Sequence, residues 1–541
     1  MLDLLITNAA VIDGTGAPAF RGEVGVERGR IVMVRRLPED GGEDPGGPAA
    51  VRTIDAGGKV VCPGFIDLHS HSDRGILRDP AAESSLLMGV TTEITGNCGG
   101  SMAPLSSAAA RLMQPRVGDL ELDWRTMDEF LARLERTDIG NNHGLFVGQG
   151  TVRSCVMGME TRFPTEAELD VMVELVRESM EAGAFGISTG RAYVPGCFGG
   201  LREVVTLTGV VGEHLGLYTS HIADQWANVH RATWEVVEIG VRTGAVVQVA
   251  HQKVVGKDNW GRGDEVLAIL EEGRDMGVDI MADVYPYPFA AVMALDRVLP
   301  ASLRGESDEE TLSNLGADNA EDTIRRAFRE EPTYVTARLP LYGLVQCEGT
   351  GEFEGLDMGE AALRLDTDLA GAVYRLLVEN ELCVKVAGIM SEEDVRSIVA
   401  HPLVMIGSDS GIRNYGRDRE EEKGWSTVHP REYGTFPRVL GKYVREERLL
   451  TLEDAVYKMT GLPAERIQLP DRGVIARGFW ADLIIFDPEV VTDCATIAEP
   501  CQPPEGLEYV IVNGQVAVHR SEIQPVRAGQ VLRDTQGRVL Y

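Results

Sequence analysis

The 541-residue chain lacks the cysteine spacings of a structural zinc ribbon or a disulfide framework. Its eight cysteines, at positions 62, 98, 155, 197, 347, 383, 494 and 501, are scattered without a C-x-x-C pair. This spacing argues against a small fold held together by disulfides. Each cysteine must therefore be interpreted from its own surroundings.

Long apolar runs and an excess of positive charge are also missing. No stretch of about 18 uncharged apolar residues occurs, and the first residues show neither a basic segment nor a cleavage signal. Acidic residues outnumber basic ones by 84 to 52, giving a net charge of −32. We therefore expect a cytoplasmic protein without a nucleic-acid or membrane partner. A homo-oligomer is compatible with the sequence.

Alternating apolar segments typical of β-strands occur at both ends of the chain. They include DLLITNAAVIDG and GEVGVERGRIVMVRR near the start, and ADLIIFDP and EYVIVNGQVAVHRSE near the end. Short turns with NG or GG between such strands suit hairpins. We therefore predict that residues 1–62 and 468–541 pair into one β domain.

Between these ends, short β-branched runs alternate with longer helical patterns. The runs are TTEIT, GLFVG, FGIST, GLYTSH, AVVQVAH, VDIMADVY and LVMIGSD. Strands alternating with helices at this spacing predict an α/β fold with a parallel sheet, and about eight units would close a TIM (β/α)8 barrel. We place this barrel at residues 63–467. Residues 290–350 interrupt the pattern and are predicted to form a lid-like insertion.

Metal-binding residue types follow several of the predicted strands. His69 and His71 stand two apart in PGFIDLHSHSD, so that in extended backbone both imidazoles face one side. His221 and His251 end two successive strands, GLYTSH and AVVQVAH. Any one of these histidines alone could be a hydrogen-bonded packing residue. Their shared position at strand ends favours metal ligation.

Cys98 and Asp409 occupy two further strand ends. Cys98 lies in GNCGG, where the glycine neighbours offer a thiol little to pack against, although free cysteines are often simply buried. Asp409 lies in GSDSG, where an aspartate often caps a helix or makes a turn. With the histidines upstream, we interpret Asp409 as the base that takes a proton from metal-activated water.

Motifs spread over nearly the whole chain resemble the amidohydrolase superfamily and, within it, the D-aminoacylases (N-acyl-D-amino-acid deacylases). They include PGFIDLHSHSD, GVTTEITGNCGGSMAP, GAFGISTGRAYVPG, AHQKVVGKDNWGR, HPREYGTFPRVLG and DRGVIARGFWADLIIFDP. The resemblance implies a TIM barrel, a small β-sandwich domain built from both termini, a zinc centre and hydrolysis of N-acyl-D-amino acids. The partner is then a small-molecule N-acyl amino acid.

The same resemblance implies roles for individual residues. One tight zinc ion would be bound by Cys98, His221 and His251, and a second, weaker ion by His69, His71 and the same Cys98. Asp409 matches the catalytic aspartate. Three further positions, Lys253, Tyr193 and Tyr285, match residues that contact the substrate, with the lysine facing its carboxylate.

The distribution of lysine supports a bridging role for Cys98. Many binuclear amidohydrolases bridge two metal ions with a carboxylated lysine on a middle barrel strand. This chain has no lysine between Lys59 and Lys253. A thiolate can bind one or two zinc ions, so Cys98 is the anionic bridge that remains.

Two other interpretations stay open at this point. A relative that opens cyclic amides, such as a hydantoinase or dihydroorotase, would share the fold, although the missing lysine weighs against it. A catalytically inactive scaffold should have lost ligands, whereas all five candidate ligands and Asp409 are present.

The chain departs from the resembled family around these residues. Gln149, Ala223, Gln225 and Gln252 replace residues that the family usually has there, which concerns the substrate more than the metal. Arg191, in STGRAYVPG, stands where an apolar residue is common. We hypothesise that Arg191 binds a second acidic group of the substrate or replaces charge lost at Ala223; the alternative is a solvent-exposed arginine.

Overall fold

The structure is a computed structural model, and it describes residues 1–38, 47–415 and 428–534. Within these ranges no helix has the length and apolar character needed to cross a membrane. Strands and helices alternate through most of the chain, as the sequence pattern predicts.

The strands fall into a terminal group, a central parallel group and an inserted group. In chain order they are β1 (Leu2–Val11), β2 (Phe20–Glu27), β3 (Arg30–Arg36), β4 (Ala50–Asp55), β5 (Val60–Pro63), β6 (Phe65–Asp67), β7 (Val90–Thr95), β8 (Asn142–Leu145), β9 (Val147–Gly148), β10 (Gly186–Gly190), β11 (Leu217–His221), β12 (Val246–Val249), β13 (Ile280–Val284), β14 (Met293–Ala294), β15 (Gly343–Cys347), β16 (Val384–Ala387), β17 (Val404–Ile406), β18 (Leu483–Phe486), β19 (Leu507–Val512), β20 (Gln515–His519) and β21 (Glu522–Ile523).

The α-helices follow the central strands and also build the insertion. They are α1 (Glu83–Leu87), α2 (Ser107–Val117), α3 (Met127–Glu135), α4 (Gln149–Met157), α5 (Glu166–Glu181), α6 (Leu201–Glu213), α7 (Val229–Thr243), α8 (Gly263–Asp275), α9 (Asp308–Leu315), α10 (Ala320–Glu330), α11 (Tyr334–Arg338), α12 (Met358–Arg364), α13 (Leu369–Glu379), α14 (Glu392–Ala400), α15 (Arg431–Arg438), α16 (Leu452–Met459) and α17 (Gly461–Arg466). A π-helix, Val439–Glu446, continues from α15.

Both ends of the chain contribute to one nine-stranded sheet. Its order is β21-β20-β19-β18-β5-β1-β2-β3, with β4 paired to β1. The two ends meet where β5 and β18 pair in antiparallel fashion, with Val61 opposite Ile485. The predicted pairing of the termini is therefore present. The two-layered sandwich stays a prediction.

The central strands are parallel and lie in two sheets that follow chain order. One sheet has the order β6-β7-β8 and the other β9-β10-β11-β12-β13-β17. Phe146 alone separates β8 from β9, and a parallel bridge joins Ser70 to Ser410. Every residue of β7 and of β11 is buried, as expected for parallel strands covered by helices. The α/β class is confirmed, and closure into a barrel stays a prediction.

Local sequence signals explain where the covering helices begin and end. Helix α5 starts after Thr165, whose side chain forms a capping box with Glu168. Its apolar side chains at helical spacing face the sheet and are buried: Leu169, Met172, Val176 and Met180. Helix α7 ends at Gly244, which adopts the left-handed conformation.

The insertion is longer than predicted from the sequence. Residues 293–387 form β14, β15 and β16, paired in antiparallel fashion, together with helices α9–α13. They have a hydrophobic core of their own, which includes Leu295, Ile324, Leu339, Met358, Leu376 and Val386. The bounds 290–350 stay a prediction for the insertion, while the antiparallel group and its core extend to residue 387. The sequence did not indicate this extent, because the segments MGEAALR, LAGAVYRLLVE and VKVA have the same helix and strand pattern as the central units.

A buried ion pair ties α4 to α6 beneath the carboxyl ends of the central strands. Arg153 donates to Glu203 at 2.6 Å, and their side chains are 0% and 1% exposed. The side-chain amide of Gln149 donates to the same carboxylate. One residue earlier on α6, Arg202 pairs with Glu166 in solvent. The two neighbouring pairs thus differ strongly in burial.

Replacing Glu203 by alanine should destabilise the protein by about 3–5 kcal/mol, because it leaves the buried Arg153 without its carboxylate partner. Replacing Glu166 by alanine breaks the exposed pair and should leave the free energy of unfolding almost unchanged. Urea unfolding of both variants measures the difference. Equal losses would show that burial does not distinguish the two pairs.

Candidate metal centre

The predicted site residues come together at the carboxyl ends of the central strands. A cavity of about 700 Å³ opens there and is lined by residues that include His71, Cys98, His221, Lys253 and Asp409. The carboxyl ends of parallel strands lie at the same end of the sheet, so loops from distant parts of the chain share this cavity. The sequence positions range over more than 300 residues, from 71 to 409.

Cys98 lies at the centre of three imidazoles. Its Sγ is 3.4 Å from Nε2 of His69, 3.4 Å from Nε2 of His251 and 3.7 Å from Nδ1 of His221. The ring nitrogens of His221 and His251 lie 2.8 Å from each other. Four of the predicted site residues therefore direct donor atoms at one point.

Three of the site residues adopt a backbone conformation that side chains rarely take. The φ angles are +53° at Cys98, +35° at His251 and +53° at Asp409. At Gly99, with φ of +76°, an added Cβ would lie 2.4 Å from the backbone nitrogen of Gly190. Glycine is therefore required beside Cys98, because any side chain would collide with the neighbouring strand.

Buried polar groups fix how the histidine rings face. Nδ1 of His69 donates to Asp283 at 2.9 Å, which leaves Nε2 directed at Cys98. The side-chain amide nitrogen of Gln225 lies 3.0 Å from Nδ1 of His251, so that Nε2 of this ring also faces Cys98. Such contacts hold metal-ligating imidazoles in one orientation.

The surrounding charges favour the ionised forms of the two acids at this point. Burial raises the pKa of the Cys98 thiol, but the imidazoles of His251 and His69 outweigh it and hold that pKa well below its usual range. Burial likewise raises the pKa of Asp409, while Arg431 and the histidines lower it well below the usual range. A thiolate and a carboxylate at neutral pH are the forms that bind a cation.

The donor atoms are of the types that bind zinc. Zinc ligands at about 2.0–2.3 Å in tetrahedral geometry lie roughly 3.3–3.8 Å from one another. The separations of Cys98 from His221 and His251 fall in this range, whereas the 2.8 Å between the two ring nitrogens is shorter and must widen for both to hold one ion. Ligand atoms of His69, Cys98, His251 and Asp409 all lie within 4.8 Å of one another. His71 completes the group, with Nε2 3.1 Å from Oδ1 of Asp409.

Two cations lie beside Asp409 and were only partly anticipated. Nη1 of Arg431 donates to Oδ2 of Asp409 at 2.8 Å, and Nζ of Lys253 is 3.8 Å from the same oxygen. Both cations stand 4.7 Å from the ring centre of Tyr285, which is itself buried. Arg431 was missed in the sequence analysis, although HPREYGTFPRVLG was recognised as a specific motif. A basic residue two positions after a histidine in such a motif was the available signal.

The predicted substrate-contacting residues differ in how the structure places them. Tyr193 lines the cavity, with its ring 4.4 Å from that of His221. Arg191 points elsewhere: it donates to Glu235 at 2.7 Å and to the carbonyl of Gly199 at 2.6 Å. Its side chain is 10% exposed. The structure thus places Arg191 in a largely buried ion pair rather than in solvent, and its roles in substrate binding or in replacing charge lost at Ala223 stay predictions.

Comparison with known proteins identifies the family. The profile of the amidohydrolase family matches residues 52–204 and 389–518. The N-acyl-D-glutamate deacylase of Alcaligenes xylosoxydans xylosoxydans is 36% identical over 536 residues, which cover 98% of this chain and 96% of that protein. The chain belongs to the amidohydrolase family. The resemblance inferred from the motifs is confirmed.

Two solved structures resemble this amidohydrolase over nearly their whole length. The N-acyl-D-glutamate deacylase from Bordetella bronchiseptica, complexed with zinc and a phosphonate mimic of the tetrahedral intermediate, is 34% identical with a TM-score of 0.75. A D-aminoacylase with a binuclear metal centre is 31% identical with a TM-score of 0.76. Each alignment covers 98% of this chain, and 99% and 100% of the respective relative.

Replacing Cys98 by alanine should abolish tight zinc binding, with a loss beyond the roughly 10–100-fold that removal of a supporting hydrogen bond causes. Cys383, which lies in the insertion, provides the matched control, and its alanine variant should bind zinc as the unchanged protein does. Metal analysis after dialysis against a weak chelator measures both. Full retention of zinc by C98A would indicate that Cys98 is a packing residue and not a zinc ligand.

Replacing Arg191 by alanine should leave the ratio of rates on N-acetyl-D-glutamate and N-acetyl-D-methionine unchanged, because its guanidinium is already paired with Glu235. The variant should instead unfold at lower denaturant concentration, since Glu235 loses its partner. A drop in the ratio with unaltered stability would restore the substrate-binding hypothesis.

Proposed function

We propose that this amidohydrolase hydrolyses the amide bond of N-acyl-D-amino acids and releases a carboxylic acid and a D-amino acid. The observation that carries this proposal is the convergence of a thiolate, imidazoles and a carboxylate beside two cations in one cavity. The similarity to deacylases of N-acyl-D-amino acids over nearly the full length supports the substrate class.

In this proposal zinc occupies one tight and one weaker position. Cys98, His221 and His251 would hold the tight ion, and His69, His71 and the shared Cys98 the second. The two parallel sheets would form a single closed (β/α)8 barrel with this centre at its mouth, and the terminal sheet the adjoining β-sandwich. The bridge between Ser70 and Ser410 supports closure, because it connects the loop after β6 to the loop after β17.

Zinc bound at these ligands would polarise the acyl carbonyl and lower the pKa of water from about 15.7 towards about 7. Asp409 would accept the water proton, and its position in the cavity lining, in contact with His71 and Arg431, supports this role. Oδ1 would then return this proton to the departing nitrogen as the C–N bond breaks.

Lys253 and Arg431 would bind the carboxylate of the substrate. Both cations line the cavity and are buried, so a charge-assisted contact with them is little screened by water. The ring of Tyr285 lies against both and limits their movement. A substrate held at its carboxylate presents its amide to Asp409 and the metal ligands.

The proposed function is tested by incubating the zinc-loaded protein with paired D- and L-enantiomers of N-acetyl amino acids, and with hydantoin and dihydroorotate. Release of the free D-amino acid is the expected result. Turnover of the cyclic compounds alone would instead assign a cyclic amidase. No turnover of any compound by protein that contains zinc would overturn the proposal.

Replacing Lys253 by methionine should raise KM roughly 10–100-fold, because a buried charge-assisted hydrogen bond contributes about 1.5–3 kcal/mol. The matched control is Lys257→Met on the same loop, where the lysine pairs with Glu360 at the protein surface. Steady-state kinetics should show no change in KM for this control. An unaltered KM for K253M would remove Lys253 from the carboxylate site.

A further inference from the structure

One part of the cavity lining is a group of apolar side chains. We call this the apolar wall, and it consists of Met102, Ala109, Leu112, Met113, Val117 and Met159. Helix α2 supplies the four central members, and the loops after β7 and α4 supply the others. The indole of the buried Trp124 donates a hydrogen bond to the carbonyl of Met102 and so helps to hold this wall in place.

The outer part of the apolar wall is exposed to solvent. Leu112 and Met159 are 43% and 46% exposed, and the neighbouring cavity residue Val194 is 47% exposed. Large apolar side chains clustered at a cavity mouth commonly mark the place where an apolar group binds. The cavity of about 700 Å³ is also larger than an N-acetyl amino acid requires.

The apolar wall and the carboxylate-binding cations follow different strands. The wall follows β7 and α4, whereas Lys253 follows β12 and Arg431 begins α15. Cys98 and Asp409, where the amide must react, line the cavity together with both groups. In an N-acyl amino acid the acyl chain and the carboxylate lie on opposite sides of the amide. A substrate held at Lys253 and Arg431 therefore directs its acyl chain towards the apolar wall.

The amino-acid side chain branches on the carboxylate side of the amide instead. The cavity is also lined by Trp226, whose ring lies beside Gly256 after β12, and by Ala290, which follows β13. Tyr342 of the insertion contacts Trp226 with ring centres 5.6 Å apart. These residues are therefore the neighbours expected for the side chain. The apolar wall is left for the acyl group.

We propose that the preferred substrates carry a medium- or long-chain apolar acyl group rather than acetyl, and that the apolar wall binds this chain. This inference rests on the proposed function, because it concerns the acyl group of the same substrates. The exposed guanidinium of Arg74 lies beside Gly100 at the margin of the wall. An acyl chain with a terminal carboxylate would pair with this guanidinium, and such a substrate is the competing possibility.

The test compares kcat/KM for acetyl, butanoyl, octanoyl and succinyl derivatives of one D-amino acid, with zinc-loaded protein. Each methylene that the wall covers should raise kcat/KM about threefold to fourfold. The octanoyl compound should therefore exceed the acetyl compound at least about tenfold. The succinyl compound should react more slowly than the butanoyl compound, which has the same chain length.

Variants of the exposed wall residues test the location. L112E and M159E should each lower the octanoyl-to-acetyl ratio of kcat/KM at least about tenfold, because a charge on the wall opposes burial of the chain. The control is V241E on α7, an apolar residue that is 54% exposed away from the cavity. It should leave the ratio unchanged, and thermal unfolding of all three variants verifies that they are folded.

Three results would overturn the inference while leaving the proposed function intact. They are an octanoyl rate equal to or below the acetyl rate, a succinyl rate above the butanoyl rate, and equal ratios in L112E and V241E. Absence of hydrolysis for every acyl length would instead overturn the proposed function itself. The two failures are therefore distinguishable in one set of measurements.

Discussion

The site depends on one electrostatic arrangement, a partly buried thiolate among three imidazoles. A buried anion is costly unless charged or polar partners compensate it. Around Cys98 the partners are the ring nitrogens at 3.4–3.7 Å, and a zinc ion would add the positive charge that binds thiolate and imidazoles together. The loops that carry these residues must therefore meet at one point, and the strand ends beneath them must be in register.

The backbone accommodates this convergence through rarely used conformations. Cys98, His251 and Asp409 all have positive φ, which non-glycine residues adopt only when the surrounding structure requires it. The glycine after Cys98 lets this loop approach the β10 strand more closely than a side chain would permit. Strain and close packing are concentrated where the chemistry is, while ordinary capped helices and buried strands provide the rigid support.

The cavity lining has a charged part and an apolar part beside the candidate metal ligands. Arg431 and Lys253 stack on Tyr285 and face Asp409, whereas the apolar wall is supplied mainly by α2. An amide substrate with a carboxylate at one end matches this division.

The sequence by itself determined the strand and helix alternation, the family and the polar residues at the strand ends, because these signals are local in the chain. His69, Cys98, His221, His251 and Asp409 could each be found in this way. Only the tertiary structure decided which side chains share the cavity. Arg191 pairs with Glu235. Arg431 lies against Asp409, although it follows no predicted strand. The length of the insertion could not be predicted from the sequence either. Its helices and strands have the same local pattern as the central units and differ from them only in what they pack against.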